Sequence, residues 1–392
     1  MEAVLMTRKP IKVAVINRSF WPVYPVIGEA LLRFAEGASA KGYSVSVIMQ
    51  DHAGIKARLA KENRGEGVNF YPAKALTTSA SGILLRACDA VFFMLWVLAV
   101  LLWVRPRKVY VSTDPPVVVP FIVMLYSRLF GAEYIYHLQD IHPEAANVII
   151  PVNKWVYNIL LKMDALTMRK AKCLITITEQ MAAEIRARSG TAAPVHVLDN
   201  PAVSFDGIDT TKPKVSGFSF CGNAGRLQRI PLVLDAIETY FARGGQLLFS
   251  FAGGGVYADH LRAFSDRFEH FHYHGQVTPT EAAQINADYT WALLPIEDDV
   301  TRFAFPSKSS SYVFSGANIL AVCGEHTGVA QWVKENRVGL VVKPEIDALA
   351  GIFSDIENGA VNEAGDQNAR EILKARLRFD VFVNALDKIV LE

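Results

Sequence analysis

Cysteine is scarce in this chain of 392 residues: Cys88, Cys173, Cys221 and Cys323 lie far apart, and none forms a C-x-x-C pair. Each sits among apolar neighbours, so a zinc ribbon or a disulfide-braced scaffold is excluded and buried, reduced thiols are expected. An excess of one charge is also lacking. With 40 Lys and Arg against 39 Asp and Glu, the formal net charge is +1 and the pI about 7.7. There is no polycation signature, and nucleic acid is not an expected partner. No G-x-G-x-x-G follows the first strand-like run, which argues against a dinucleotide oxidoreductase of the usual kind. At the N-terminus, residues 1–6 carry Glu2 and are followed by Arg8, Lys9 and Pro10, too short and in the wrong order for a secretory leader.

Apolar residues are plentiful. At 51% of the chain they suffice for two cores of ordinary domain size. Short β-rich runs alternate with helical periods, which predicts an α/β chain of two doubly wound, Rossmann-like domains facing across a cleft. Strands are expected at Lys12–Ile16 and at 43–49, 109–112, 134–138, 174–178 and 195–198, and a second series begins at 218–221. The polar stretch rich in Asp, Thr, Lys and Pro before it reads as the linker. The predicted division is a first domain over 1–200, a linker over 201–217, a second domain over 218–370 and a terminal helix over 371–392. In that helix Phe379, Phe382, Leu386 and Ile389 recur at helical spacing.

The run 220–235, FCGNAGRLQRIPLVLD, takes a strand into a glycine-bracketed turn, Gly222 to Gly225, with Arg226 and Arg229 at the opening of a helical pattern. Glycine lets backbone N–H groups approach a ligand with no Cβ in the way. A helix N-terminus adds about half a positive charge there. With two guanidiniums this makes a seat for a diphosphate, the alternative being an ordinary βα turn with solvated arginines. Further along, Pro306-Ser307 opens a Ser/Tyr-rich helix with Lys308 on its first turn. A cation there opposes the helix dipole and an anionic ligand would remove the conflict; otherwise Lys308 is a solvated surface residue.

The segment HLQDIHPE places His137, Asp140, His142 and Glu144 at or just beyond a strand's carboxyl end, where open α/β sheets bind ligands. Asp140, His142 and Glu144 suit acid, base or hydrogen-bonding roles toward a hydroxylated substrate. Asp140 or His142 as a helix cap, or a metal held by the His-x4-His pair, are the alternatives.

Residues 83–104 are the most apolar stretch. Their uncharged core, 90–104, spans about 22 Å as a helix against a hydrocarbon slab of about 30 Å. Extending it brings in Arg86 and Asp89, and the strand that follows belongs to the same sheet as Lys12–Ile16, so a crossing would put the two strands on opposite sides of a bilayer. A helix partly buried on the sheet is expected instead. Its surplus surface at Phe92, Phe93, Trp96 and Trp103, beside Arg105, Arg107 and Lys108, describes a monotopic membrane contact through residues 83–108, the alternative being a wholly buried core helix.

Taken in order, residues 20–31 with the helix to Gly42, HLQDIHPE, GNAGRLQ with FAGGG and HGQV, and FPSKSSSYVFSG resemble a GT-B fold glycosyltransferase of family 4. The likeness is nearest the bacterial surface-polysaccharide subgroup that contains the L-fucosamine-type transferases, and it spans about 12–342. The resemblance implies a nucleotide-diphosphate sugar on the second domain. Gly222, Asn223, Arg226, Arg229, Gly253, Gly254, Ser307 and Lys308 would lie around its phosphates, with Gln276 and Val277 near the base. It implies an acceptor, a glycan or a polyprenyl-linked sugar, on the first domain near Arg18, Ser19, His137 and Glu144, with Asp140 or His142 positioning its hydroxyl. Retention at the anomeric carbon is implied, with no metal or other cofactor, since no D-x-D stands at a strand end. A cytoplasmic protein, peripheral on the inner face of the cytoplasmic membrane, is expected. An epimerase or hydrolase of sugar nucleotides on the same fold, or a non-catalytic partner of an active transferase, are the alternatives. The chain departs from the family at its E-x7-E acids, whose slots fall at Ser311 and near Phe303. Glu297, Asp298 and Asp299 precede them, either to take over a hydroxyl contact or as solvated loop acids.

Overall fold

The computed structural model describes residues 10–24, 26–51, 54–77, 83–149, 151–203, 205–361 and 365–392; residues 1–9 of the N-terminal segment read above lie outside them. Seven strands make the first sheet: β1 (Lys12–Ile16), β2 (Ser44–Asp51), β3 (Asn69–Lys74), β4 (Lys108–Ser112), β5 (Glu133–His137), β6 (Cys173–Thr176) and β7 (Val195–Val197). Six make the second: β8 (Val215–Cys221), β9 (Leu248–Ala252), β10 (Phe271–Tyr273), β11 (Tyr289–Pro295), β12 (Asn318–Val322) and β13 (Gly339–Val342). All the pairings within both sheets are parallel.

The strand orders are β3-β2-β1-β4-β5-β6-β7 and β10-β9-β8-β11-β12-β13. In each sheet the chain winds outward in one direction, returns, and winds out in the other. The reversals fall between β1 and β4 and between β8 and β11, and these switch points open a crevice at the strands' carboxyl ends. Their loops therefore carry the candidate site. β3 was hidden in the sequence because it is an edge strand with Pro72 inside it, the place where a sheet tolerates a residue without an N–H.

Helices cover both faces of each sheet. On the first, Ile83–Val104 and Val118–Phe130 bury Phe93, Val97, Leu101, Val119 and Val123 over one face. Helix Ile27–Ala40 covers the other with Leu31, Phe34 and Ala35. The terminal helix is not one piece, because a break at Leu377 and Arg378 divides it into Gln367–Arg376 and Phe379–Leu391. The first piece stays with the second sheet, where buried Arg370 donates to Ala317 O and to Asn318 Oδ1, both at 2.7 Å. The second returns to the first sheet and buries Phe382, Leu386 and Val390 against Tyr110 and Ile135. At the break Ala202 N donates to Leu377 O (3.2 Å), so the two crossings between domains lie side by side. β8 starts at Val215, inside the stretch read as linker.

Candidate functional site

At the second switch point β8 and β9 end in contact. Gly222 N donates to Ala252 O (2.9 Å) and Gly253 N to Gly275 O (2.7 Å). Gly253 has φ +124°, and a Cβ there would lie 1.9 Å from Gly222 O, so the close approach admits only glycine. Over this turn lies the first residue of helix Lys308–Ser315. Lys308 Nζ stands 3.9 Å from the centroid of the Phe220 ring and 3.3 Å from where a Gly222 Cβ would be. The ammonium is buried without a hydrogen-bond partner, and burial pushes it down to about 7. Lys308 is thus no solvated surface cation. The ring face compensates in part for lost water, but three N–H donors remain unanswered.

Gln228 Oε1 accepts from Gly225 N (3.1 Å) and closes the glycine turn. Asn223 wedges between Gly225 and Gly255, and Gln276 lies against Gly254. Arg226 is exposed on this turn, with no ion pair or hydrogen bond among the described residues. Ser307 is exposed and caps nothing with its side chain, and Val277 lines the recess beside Lys308. Arg229 corrects the expectation of two free guanidiniums. It adopts φ 46°, separates the 3-10 turn Arg226–Gln228 from helix Ile230–Ala242, and is engaged at the carboxyl end of β11. It donates to Ile296 O (2.8 Å) and pairs with Glu297 (3.0 Å) and Asp298 (3.1 Å). Asp298 also accepts from Gly324 N (2.9 Å). Glu297 and Asp298 are therefore half-exposed acids engaged by Arg229, not free loop carboxylates.

At the first switch point Arg18 follows β1 and Asp114 follows β4. Arg18 Nε and Ser19 N both donate to the Asp114 carboxylate, at 2.9 and 2.8 Å, and Arg18 N donates to Asp114 O (2.8 Å). Asp114 binds the two loops into one surface. Asp114 was passed over as a site residue in the sequence, although its place directly after a β-rich run was the available signal. Asp140 N donates to Thr113 Oγ1 (3.4 Å), bringing Asp140 to the same wall. Burial, with the Asp114 charge adding, pushes the Asp140 carboxyl up to about 6. His142 is held down to about 4 by burial and by Arg188, so its ring is neutral, and its Nδ1 is buried without a partner.

Two residues of HLQDIHPE lie elsewhere. His137 points into the core: its Nδ1 is 2.6 Å from Tyr110 Oη, its ring lies 6.2 Å from that of Phe382, and burial pushes it down to about 3. Adjacent strand residues project to opposite faces, and His137 shares the face of Ile135, not the crevice. It does not meet His142 as a ligand pair. Glu144 accepts from Arg188 (2.5 Å), which also binds Asp164 and the His142 carbonyl (2.8 Å), while Tyr136 Oη donates to Asp164 (2.7 Å). This cluster braces the 140–144 loop from behind. Arg188 and Asp164 were missed, since their partners lie 24 and 44 residues apart in sequence.

A strap from the second domain closes the crevice beside Asp140. Asp140 forms an antiparallel bridge with Ala304, Ile141 N donates to Phe303 O (2.6 Å), and Arg302 pairs with Glu184 (2.7 Å). Phe303 and Phe305 pack on the first domain's core. The structure thus brings together Arg18, Ser19, Asp114, Asp140 and His142 on one side and Gly222, Asn223, Arg226, Gly253 and Lys308 on the other. The first wall sets Arg18 against two carboxyls, Asp114 and Asp140, and the second holds cations in excess.

Residues 27–201 match the family of glycosyl transferase 4-like domains. The chain is 23% identical over 285 residues to a probable glycosyltransferase, WbjE of Pseudomonas aeruginosa, covering 68% of this chain and 71% of that protein. Among solved structures it resembles sucrose-phosphate synthase from Thermosynechococcus elongatus with a TM-score of 0.71 at 12% identity, over 97% and 98% of the two chains. Anabaena HepE, solved with UDP, gives 0.64 at 14% identity, over 97% and 99%. The chain has the GT-B fold of two Rossmann-like domains, and its residues 27–201 match the glycosyl transferase 4-like domain.

Proposed function

We propose that this protein moves a hexosyl group from a nucleoside-diphosphate sugar to a glycan or polyprenyl-linked acceptor in the assembly of a bacterial surface polysaccharide, with retention at the anomeric carbon. The observation that carries the reading is the buried, unpartnered ammonium of Lys308 above the Gly222–Gly253 contact. Left without an anion, that group costs stability; a diphosphate would satisfy its donors, and Arg226 would close on the outer phosphate oxygens. As the bond from C1 to the β-phosphate oxygen breaks, the charge growing on the leaving group meets Lys308, Arg226 and the amide N–H groups of the turn, with no metal needed. The acceptor oxygen forms the new bond to C1, and its proton passes to the departing phosphate. Asp140 and His142 position that hydroxyl; Arg18 and Ser19 line its approach.

Helix Ile83–Val104 supports a membrane-held acceptor. One face is buried on the sheet, while Phe92, Leu95, Trp96 and Trp103 are exposed, Trp103 at 82%. Leu129 and Phe130 of the neighbouring helix extend this surface, and Arg105 lies over the Phe130 ring. The helix is long and apolar enough to cross a bilayer, but its buried face and its place between β3 and β4 favour a peripheral seat, on the inner face of the cytoplasmic membrane. The direct test is titration with UDP, GDP and their diphospho-sugars. A true ligand at a hundredfold excess over Kd raises stability by about 2.7 kcal/mol. A shift that survives in both Arg226→Ala and Lys308→Met sinks the reading, as does release of free sugar or epimer in place of transfer.

A further inference from the structure

We infer that the donor recess does not read the ribose 2′-hydroxyl, so that 2′-deoxynucleoside diphosphate sugars belong to its substrate class alongside ribonucleotide ones. The inference rests on the proposed donor site and deepens it.

The recess that opens beside Lys308 has a volume of about 230 Å³ and runs from the Gly222–Gly253 contact toward Val277 and Ala283. A diphosphate held at Lys308 fixes what comes next along the ligand, because the pentose is joined directly to the phosphate and the base lies beyond it. Ser311 lines the same recess one helical turn after Lys308, on the same face of the helix, so a pentose that follows the diphosphate into the recess passes it. The inventory of acceptors there decides what a vicinal diol would meet. Among the described lining residues Lys308 is the only charged one. Thr278 Oγ1 is engaged with Glu281, receiving its N–H (3.2 Å) and donating to its carboxylate (2.8 Å). Asn286 Oδ1 accepts from Ser219 (3.0 Å). Glu297 and Asp298 pair with Arg229, and the exposed Asp299 that follows them is not among the residues lining the recess.

Of the two hydroxyls that line the recess, Thr278 and Ser311, that of Ser311 is the one without a partner. A site that rejects an analogue lacking one hydroxyl does so because buried polar groups committed to that hydroxyl are then left unpaired, and such sites discriminate by about 10⁴-fold. Ser311 is not buried and can turn to water, so loss of the 2′-hydroxyl strands nothing. The base and the diphosphate remain as the features the recess can hold, through the apolar wall at Val277 and Ala283 and through the cations.

The test compares UDP with 2′-deoxy-UDP by calorimetric titration of the full chain. Dissociation constants within about fivefold of each other are expected, and Ser311→Ala should leave the ratio unchanged within about threefold. Ser311→Glu places a carboxylate beside the pentose and should raise the preference for UDP at least about tenfold, since a charged acceptor strengthens a hydroxyl's hydrogen bond. A preference for UDP above about fiftyfold in the unaltered protein overturns the inference while leaving the donor site intact. Binding of neither nucleotide overturns the donor-site reading and the inference with it.

Discussion

Two of the buried cations in this protein, Arg188 and Lys308, are used in opposite ways. Arg188, in the first domain, has a side chain only 7% exposed, yet it is bound to Asp164, Glu144 and the His142 carbonyl, with only its Nε left over. Lys308, in the second domain, has its Nζ buried against an aromatic face with no acceptor at all. Both lost their water on folding. Arg188 recovered the loss inside the chain and serves structure, whereas Lys308 did not, and the unanswered donors mark where a ligand's charge belongs.

The sharpest way to break this contrast is to remove each cation. Arg188→Met strands two buried carboxylates, and a loss of about 3–5 kcal/mol is expected from chemical denaturation. Its second effect falls on the 140–144 loop, which Arg188 braces through the His142 carbonyl. Lys308→Met should do the reverse: stability equal to or above that of the unaltered protein, with nucleotide affinity down about 10- to 100-fold, the worth of one charge-assisted contact of about 1.5–3 kcal/mol. Should Lys308→Met unfold the protein while Arg188→Met leaves it stable, the assignments are inverted.

The contrast extends to pH. Burial lowers the Lys308 ammonium from its ordinary value to about 7, so between about pH 7 and 10 the unfolded chain binds more protons than the folded one. Stability contributed at this site therefore rises with pH across that window, and Lys308→Met removes the slope. An anion bound beside Nζ favours the charged form and draws a proton in. Calorimetric titration with UDP at pH 8, in buffers of different ionisation enthalpy, should show net proton uptake in the unaltered protein and none in Lys308→Met. Equal heats in all buffers would mean that Lys308 does not meet the phosphates.

How far the sequence carried this picture depends on how local each feature is. The β-rich run at Lys12–Ile16, the glycine turn at 222–225 and the apolar spacing of Phe382 and Leu386 are set by neighbours within a few residues, and they stood where periodicity placed them. Arg229 stood beside a motif and was read as a phosphate contact, while Arg188 stood near none and was passed over. Their roles depend on carboxylates tens of residues away in sequence, which nothing local betrays. His137 was misplaced for a different reason. A strand buried on both faces carries no alternation of polarity, so the face on which its last residue falls cannot be read until the helices that cover it are known.

Asp140 sharpens the comparison from the acceptor side, with a smaller effect. Its carboxyl, raised by burial and then by Asp114, is neutral in the folded state over a range where the unfolded chain is ionised. The folded state binds the extra proton between about pH 4 and 6, so stability from this site falls as pH rises through that window and stays lower above it. Asp140→Asn removes an ionisation that the crevice disfavours, and should raise stability at pH 8 by about 1–3 kcal/mol while transfer to the acceptor drops and UDP affinity holds. That split separates the two walls. Loss of nucleotide affinity in Asp140→Asn would show that the acid serves the donor, and the first domain's wall would then lose its claim to the acceptor.

The smallest effect is expected at the apolar surface, where Trp103 is exposed and packs on nothing that a soluble domain needs. Trp103→Ser should leave the melting point and UDP binding unchanged, because the helix is held by its opposite face through Phe93, Val97 and Leu101. Flotation with vesicles of anionic phospholipid is where it should tell. The unaltered protein rises with the vesicles, and the variant stays behind in larger part, with the difference growing as salt screens Arg105 and Arg107. A protein that fails to float, or a variant that floats equally well, would return helix Ile83–Val104 to a structural part and leave the acceptor's source open to a soluble glycan.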